Sequence, residues 1–424
     1  MYRKQTFRFR TPRWITATAL ATLVLASCDT EDLLKVEAPS QLPAEDLENP
    51  RNAALLVNGA VADFECAYGA FVTVQGIIAD ELSDAQLGAA AWFYDRRDSN
   101  LAPGSAYGEN SCSSNQTPGI YRPLSTARWA ADNALTYLEG WTDEEVDNRQ
   151  DLIAQAALYS GFSYNLLGMA MCSAAIDGGP EVTSAELLAA AEGRYTRAME
   201  AATAEGLTDV ATAARIGRAR VRLYLGDTAG ALADAQDVPL DFVYNASASQ
   251  DNNRRYNRVF ASNVLSTNYS IEEVSRNIMT AGVEDPRTLT SSAGVTANDG
   301  TELWIQHKYP DYSTPIPIVT GAEAALIVAE IQGGQAAVDA INSLRDRVGL
   351  PHYAGGTEAE IQQKVIEERR RELWLEGHRL YDIARFGIPR VPAIGTPFAK
   401  GGIYGNTTCL PLPDVERFNN PNIS

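Results

Sequence analysis

Histidine is scarce: His307, His352 and His378 are the three in 424 residues, far apart and none in a ligand spacing with cysteine. Zinc chemistry and histidine-base catalysis therefore have little material to work with. Positive charge is short as well. Lys+Arg number 35 against 54 Asp+Glu, a net of −19, so no basic surface is available to neutralise a phosphate backbone, and nucleic-acid binding is not expected. After residue 26 no stretch reads as the ~20 consecutive apolar residues that cross a bilayer. What is present, 45% hydrophobic and 21% charged residues, excludes a disordered or fibrous chain and supports a large packed core.

The N-terminus reads as an address. Arg3, Lys4, Arg8, Arg10 and Arg13 form a basic region ahead of the mostly apolar run Trp14 to Ala26, which is too short to span a bilayer. The run closes on Leu25-Ala26-Ser27-Cys28, which resembles the lipobox of bacterial lipoproteins; the resemblance implies removal of residues 1–27 and lipidation of Cys28. The removed piece carries five basic and no acidic residues, so the mature charge would move from −19 to −24. The acids Asp29, Glu31 and Asp32 directly behind the cysteine resemble a surface-export signal. Residues 28–50, with three prolines and many acids, read as an extended tether, and 51–424 as a single domain anchored to a membrane by lipid without spanning it.

Four cysteines remain, Cys66, Cys112, Cys172 and Cys409. An even number outside the cytosol favours two disulfides, for which three connectivities exist. The preferred pairing joins Cys66 with Cys112, stapling the first helix to a Ser/Asn/Gly-rich loop, and Cys172 with Cys409, tying the extended end of the chain to a helix terminus.

Apolar residues at three- and four-residue spacing predict helices over Asn52 to Tyr68, Leu124 to Leu138, Asp143 to Ala174, Ser184 to Ala204, Asp209 to Leu225, Thr228 to Ala235, Ala322 to Gln332, Gln335 to Val348 and Thr357 to Phe386. Between 239 and 320 that regularity gives way to Asn, Ser, Thr, Pro and Tyr with short β-like runs such as Leu303 to Gln306. Ala213 to Pro239, with small residues on facing helices and Gly226-Asp227 between them, resembles a tetratricopeptide unit, and Ala322 to Val348 with Gly333-Gly334 reads similarly. The fold class expected is mainly α, with about four tetratricopeptide-like hairpins (about 124–238 and 322–387) and a loop-rich half (about 75–120 and 239–320).

Val365 to Gly387 reads VIEERRRELWLEGHRLYDIARFG. Ile366, Leu373, Gly377, Leu380 and Ala384 lie on one helical stripe, while Glu367 with Arg371, Glu376 with Arg379 and Asp382 with Arg385 are spaced for ion pairs. This segment resembles the SusD/RagB family of outer-membrane nutrient-binding lipoproteins. So do the lipobox, Leu344 to Leu350 (LRDRVGL), Pro411 to Asp414 (PLPD) and Asn419-Asn420-Pro421-Asn422. The chain is short for that family. The resemblance implies a SusD-like fold, a binding function without catalysis or cofactor, a SusC-like TonB-dependent transporter as partner, and an oligosaccharide or, as in RagB-like members, a peptide as ligand. Glu368, Arg369, Arg370, Glu372, His378 and Arg379 then read as scaffold.

Sugar sites pair aromatic platforms with polar groups that hydrogen-bond the hydroxyl rim. Two clusters fit: Asp80-Glu81 with Trp92, Phe93, Tyr94, Asp95, Arg96, Arg97 and Asn100, and Trp304, Gln306, Lys308, Tyr309, Asp311 and Tyr312. The expected ligand contacts are Trp92, Tyr94, Arg96, Asn100, Trp304, Tyr309 and Tyr312, with core packing as the rival reading of each aromatic. Trp129, Trp141 and Trp374 sit in helical stretches and are expected in the core, and Arg254 to Arg258 reads as a solvated charge run. A tetratricopeptide-type interaction scaffold is the competing class. A glycoside hydrolase is the weakest reading, because no motif nominates an acid/base pair.

Overall fold

Helix α1 (Ala53–Ala79) runs eleven residues past the Tyr68 end that its spacing pattern suggests, because from Cys66 to Ala79 every residue is buried. A helix enclosed on all sides has no polar face, so the periodic signal that marks a surface helix fades after Tyr68 while the helix continues. Its length and composition would suit a bilayer crossing; packing against protein assigns it to the core. The computed structural model describes residues 49–88, 92–98 and 106–423. Cys28, the tether up to residue 48 and Asn100 lie outside the described residues.

After α1 come strand β1 (Leu82–Asp84), the single turns α2 (Trp92–Asp95) and α3 (Ala106–Glu109), and the long helices α4 (Tyr121–Gly140) and α5 (Arg149–Ala170). A small hairpin, β2 (Ser173–Ala175) and β3 (Glu181–Thr183), precedes α6 (Ser184–Glu205), α7 (Thr208–Leu225) and α8 (Thr228–Ala235). Consecutive helices from α4 to α8 pack as neighbours, with the β2–β3 hairpin between α5 and α6, and α4 and α5 also rest on α1. Thr183 opens α6 with a reciprocal capping box to Glu186, and Gly206 closes it in the left-handed region at φ 72°. The expected helix over Asp143 to Ala174 is shorter at both ends. Asn148 turns left-handed at φ 53°, and the chain becomes extended at Met171 to pair with Leu410.

The middle of the chain contributes short antiparallel pairs. β4 (Val243–Ala246) pairs with β10 (Ile316–Thr320), β1 with β5 (Tyr269–Ile271), β6 (Met279–Thr280) with β7 (Val283–Glu284), and β8 (Thr290–Thr296) with β9 (Glu302–Gln306). Helices return as α9 (Gly321–Gln332), α10 (Gly334–Asp346), α11 (Glu358–Glu372) and α12 (Arg379–Phe386), and α13 (Asp414–Asn419) lies near the end.

The stretch expected as one helix from Thr357 to Phe386 is therefore two. Between them Leu375 and Gly377 take φ of 55° and 82°, and a Cβ on Gly377 would stand 2.5 Å from the Phe71 ring. Only glycine lets the chain pass α1 at that distance. The break also frees two carbonyls: Trp374 O accepts from Lys308 Nζ at 2.7 Å, and Leu375 O from the Tyr309 hydroxyl at 3.0 Å.

Both expected disulfides are present, with Cα separations of 5.6 Å for Cys66–Cys112 and 5.1 Å for Cys172–Cys409. The second closes a loop of 237 residues and holds the C-terminal segment beside the end of α5, where Cys172 N–H donates to Leu410 O at 2.8 Å.

Close helix packing depends on glycine where a large ring intrudes. The buried Tyr195 ring of α6 lies between Gly161 of α5 and Gly217 of α7; a Cβ at either position would approach ring carbons to 2.7 or 2.6 Å. Gly217→Ala is expected to cost about 1–3 kcal/mol by overpacking, read from urea unfolding. Stability equal to the parent would show that the ring is free to move aside.

Candidate functional site

The two clusters nominated from sequence meet around β1. The turn α2 is anchored there because the Asp95 carboxylate accepts the Asp84 backbone N–H at 2.8 Å. β1 pairs with β5, and β5 rests on β9, where Ser270 Oγ donates to Glu302 O and accepts from Trp304 N–H, both at 2.9 Å. Lys400 closes the circuit. Its ammonium reaches Asp84 O at 2.6 Å, Asp84 Oδ2 at 2.7 Å, Gln86 O at 3.0 Å and Asp299 Oδ2 at 2.7 Å, joining the strand end to the turn between β8 and β9.

Trp92 on α2 and Trp304 on β9, far apart in the sequence, are linked through β1 and β5, and both are half-buried. The Arg276 guanidinium lies 5.1 Å from the Trp304 ring centre, held by its own bond to Ile271 O at 2.8 Å. Arg96 is half-buried and pairs with Asp98 at 2.7 Å. Arg97 beside it is buried, stacks 4.5 Å over Tyr404 and donates to Pro392 O at 2.6 Å. These contacts fix the turn that presents Trp92.

The remaining sequence candidates are placed elsewhere. Tyr94 is buried with its hydroxyl donating to Pro118 O at 3.0 Å, and Tyr309 is buried with its hydroxyl on Leu375 O. Neither ring reaches solvent, so both belong to the core, where a ring of that size is worth most. Tyr312 is half-buried against Tyr256 and Phe260, with ring centres 4.5 and 5.0 Å away. Asp80 and Glu81 are structural: Asp80 holds Arg379 through bonds of 2.9 and 3.0 Å, and Glu81 accepts the Leu375 N–H at 3.1 Å. Lys308 pairs with Glu376 at 2.7 Å.

Among the tryptophans, Trp374 is fully buried and Trp141 half-buried against Tyr137, as expected of core residues. Trp129 is not: it is 51% exposed. The signal was in the sequence, because the buried stripe of α4 runs through Leu124, Ala127, Ala131, Leu135 and Leu138 and leaves position 129 on the opposite side. Trp129 borders a cavity of about 590 Å³ between α3, α4, the β2–β3 turn and α13.

Three buried acids around this framework hold protons near neutrality. Burial pushes Asp95 up to about 8 and Glu81 to about 7, against the backbone N–H groups that favour their charged forms. Glu376 is likewise pushed by burial to about 7, opposed by Lys308. No group of three or more His, Cys, Asp and Glu suited to a metal ion occurs among the described residues.

Comparison with known proteins places the segment that carries the sequence signature. Residues 319–414 match the model of the SusD family. The starch-binding protein SusD of Bacteroides thetaiotaomicron is 35% identical over 124 residues, 27% of this chain; the match spans about a fifth of that relative's length, 21%. A laminarin-binding SusD-like protein superposes with a TM-score of 0.65 at 16% identity, covering 89% of this chain and 98% of its own. A SusD superfamily protein of Parabacteroides distasonis gives 0.66 at 14% identity, covering 91% and 99%. A SusD-like carbohydrate-binding protein of Bacteroides vulgatus gives 0.62 at 16%, covering 88% and 97%.

The raised acids set a pH dependence. In the unfolded chain each titrates near about 4, so the folded state binds protons that the unfolded state releases. Their contribution to stability is complete below about pH 4 and is lost as pH rises through 7 to 8. Asp95→Asn, which keeps an acceptor for the Asp84 N–H, is expected to flatten the fall in urea midpoint between pH 5 and 9. An unchanged slope would mean that Asp95 is ionised in the fold.

Proposed function

The chain belongs to the SusD/RagB family, and we propose that it is a glycan-binding lipoprotein of the outer membrane, held at the cell surface by lipid on Cys28, that passes neutral oligosaccharides to a SusC-like TonB-dependent transporter. The observation that carries the ligand class is the pair Trp92 and Trp304, each half-buried and presented by the hydrogen-bonded circuit through β1, β5, β9 and Lys400. Indole faces stack on the C–H faces of sugar rings, and a fixed indole loses little entropy when the ring arrives. Arg96 and Arg276 lie beside the two platforms as donors to ring hydroxyls.

The same framework argues for binding over catalysis. The carboxylates that anchor α2 and β1 are engaged: Asp84 by Lys400 and Asp95 by the Asp84 N–H. Glycoside hydrolysis needs two carboxyl groups facing each other across an open cleft. Starch-binding and laminarin-binding relatives support a neutral glucan as ligand. A net charge of −19 also repels polyanionic glycans at long range.

Calorimetry against a panel of neutral glycans, acidic glycans and peptides tests the reading. Trp92→Ala and Trp304→Ala are each expected to weaken neutral-glycan binding about tenfold, roughly 1.4 kcal/mol, with the thermal midpoint little changed. Glycan affinity untouched by both substitutions would remove this surface as the site, and binding of peptides alone would replace the glycan reading by RagB-like peptide capture.

A further inference from the structure

The cavity beside Trp129 is built from four parts of the chain far apart in sequence. α3 supplies Glu109, the first half of α4 supplies Arg122 and Trp129, the β2–β3 turn supplies Asp177, and α13 supplies Val415 and Glu416. An indole 51% exposed at the mouth of a cavity of about 590 Å³ leaves a large apolar face unsatisfied in water. The volume lies within the range of small-ligand sites, roughly 300–1,000 Å³.

The wall opposite is polar and held in place. Asp177 has a left-handed backbone, φ 51°, unusual for a residue with a side chain. That conformation aims its carboxylate at Arg128, whose guanidinium it grips at 2.6 and 2.8 Å. Arg128 is buried, whereas the Asp177 side chain is 54% exposed, so the carboxylate keeps lone pairs for a further donor. The turn is clamped from behind: Asn420 Nδ2 donates to Gly179 O at 2.7 Å and Asn422 Nδ2 to Gly178 O at 2.8 Å. The Cys172–Cys409 disulfide ties the start of β2 to the segment leading into α13. The C-terminal Asn-Asn-Pro-Asn thus has a task that its sequence alone does not disclose.

With Arg128 neutralised by Asp177, the charges left around the opening are Glu109 and Glu416 against Arg122. Such a rim accepts hydroxyl donors and disfavours anions. A second chamber of about 240 Å³ shares Arg122 and Thr126 with the first and extends towards the Arg254–Asp63 ion pair and Cys112, giving an elongated shape. One aromatic platform, surplus acceptors and length suit a chain of neutral sugar rings.

We propose that this cavity is a second saccharide-binding subsite, with Trp129 as its platform and Asp177 as its principal acceptor. It rests on the glycan reading above for its ligand class, and not on the Trp92 and Trp304 surface. The two surfaces are distinct: neither of those tryptophans lines the cavity.

Fluorine NMR of the whole chain labelled with fluorotryptophan, each signal assigned by a Trp→Phe variant, separates the two. On titration with maltohexaose and laminarihexaose, the Trp129 signal is expected to shift saturably in the millimolar range. Asp177→Asn, which keeps the Trp129 reporter, should weaken that component about tenfold while leaving the Trp92 and Trp304 shifts in place. Shifts confined to Trp92 and Trp304 would overturn the second subsite and leave the proposed function standing. A Trp129 shift alone would support the subsite and remove the other surface. A Trp129 response to a mixed peptide pool but to neither sugar would also overturn the proposal, and no response of any tryptophan to either sugar would overturn both readings.

Discussion

Arg220 is the residue on which the two helical arrays depend. It sits on α7 with its side chain 2% exposed, and Glu323 of α9, 1% exposed, meets it with two bonds of 2.6 Å. The same guanidinium donates to Ile318 O of β10 at 2.8 Å and to Asn165 Oδ1 of α5 at 3.2 Å. One side chain therefore holds α5, α7, β10 and α9 at a single point. Burial alone would lower the Arg220 pKa, but the Glu323 carboxylate outweighs it and the group stays charged. Removing either partner would leave an uncompensated ion in the core, a cost of about 3–5 kcal/mol, although the pair as a whole need not stabilise the fold by that amount. Its value is positional: no apolar contact would demand the same geometry from four elements at once.

The same logic extends along the signature segment. Its spacing suggests a helix apolar on one side and ionic on the other, with solvent on the ionic side. In the fold both sides are enclosed. Glu368 receives Arg345 and Arg287, Arg369 holds Asp382 at 3.0 Å, and Arg379 leaves its sequence neighbour Glu376 for Asp80, just past the end of α1. Glu376 in turn takes Lys308. Two of the pairs at three- or four-residue spacing persist, Glu367 with Arg371 at 3.8 Å and Asp382 with Arg385 at 3.2 Å, whereas Glu376 and Arg379 are exchanged for distant partners. A buried charge selects the partner that desolvation leaves it, and that choice depends on tertiary structure.

This explains which parts of the molecule were legible beforehand. Helices with one wet face, such as α6, α7 and α8, were placed within a residue or so because their period is written in the sequence. The buried half of α1 and the break before α12 were not, since one has no polar face and the other follows from Phe71 standing against Gly377. Of the three connectivities open to four cysteines, the structure shows the preferred one. Among the nominated site residues, Trp92 and Trp304 are half-buried, while Tyr94 and Tyr309 lie in the core: composition marks an aromatic as a platform, and only burial decides whether its face is free.

Trp129 shows the converse. Its helix was foreseen, but its exposure follows from which stripe of α4 meets α1 and α5, and that stripe is made of alanine and leucine. Small residues there let the helices close, and closure leaves the bulky indole no room inside. The same packing that binds α4 into the array therefore expels Trp129 to the cavity mouth. There the β2–β3 turn and the disulfide-tethered C-terminus supply the polar wall it faces. A recognition surface in this fold need not come from the irregular half alone: a tightly packed helical array produces one wherever its largest side chain is left over.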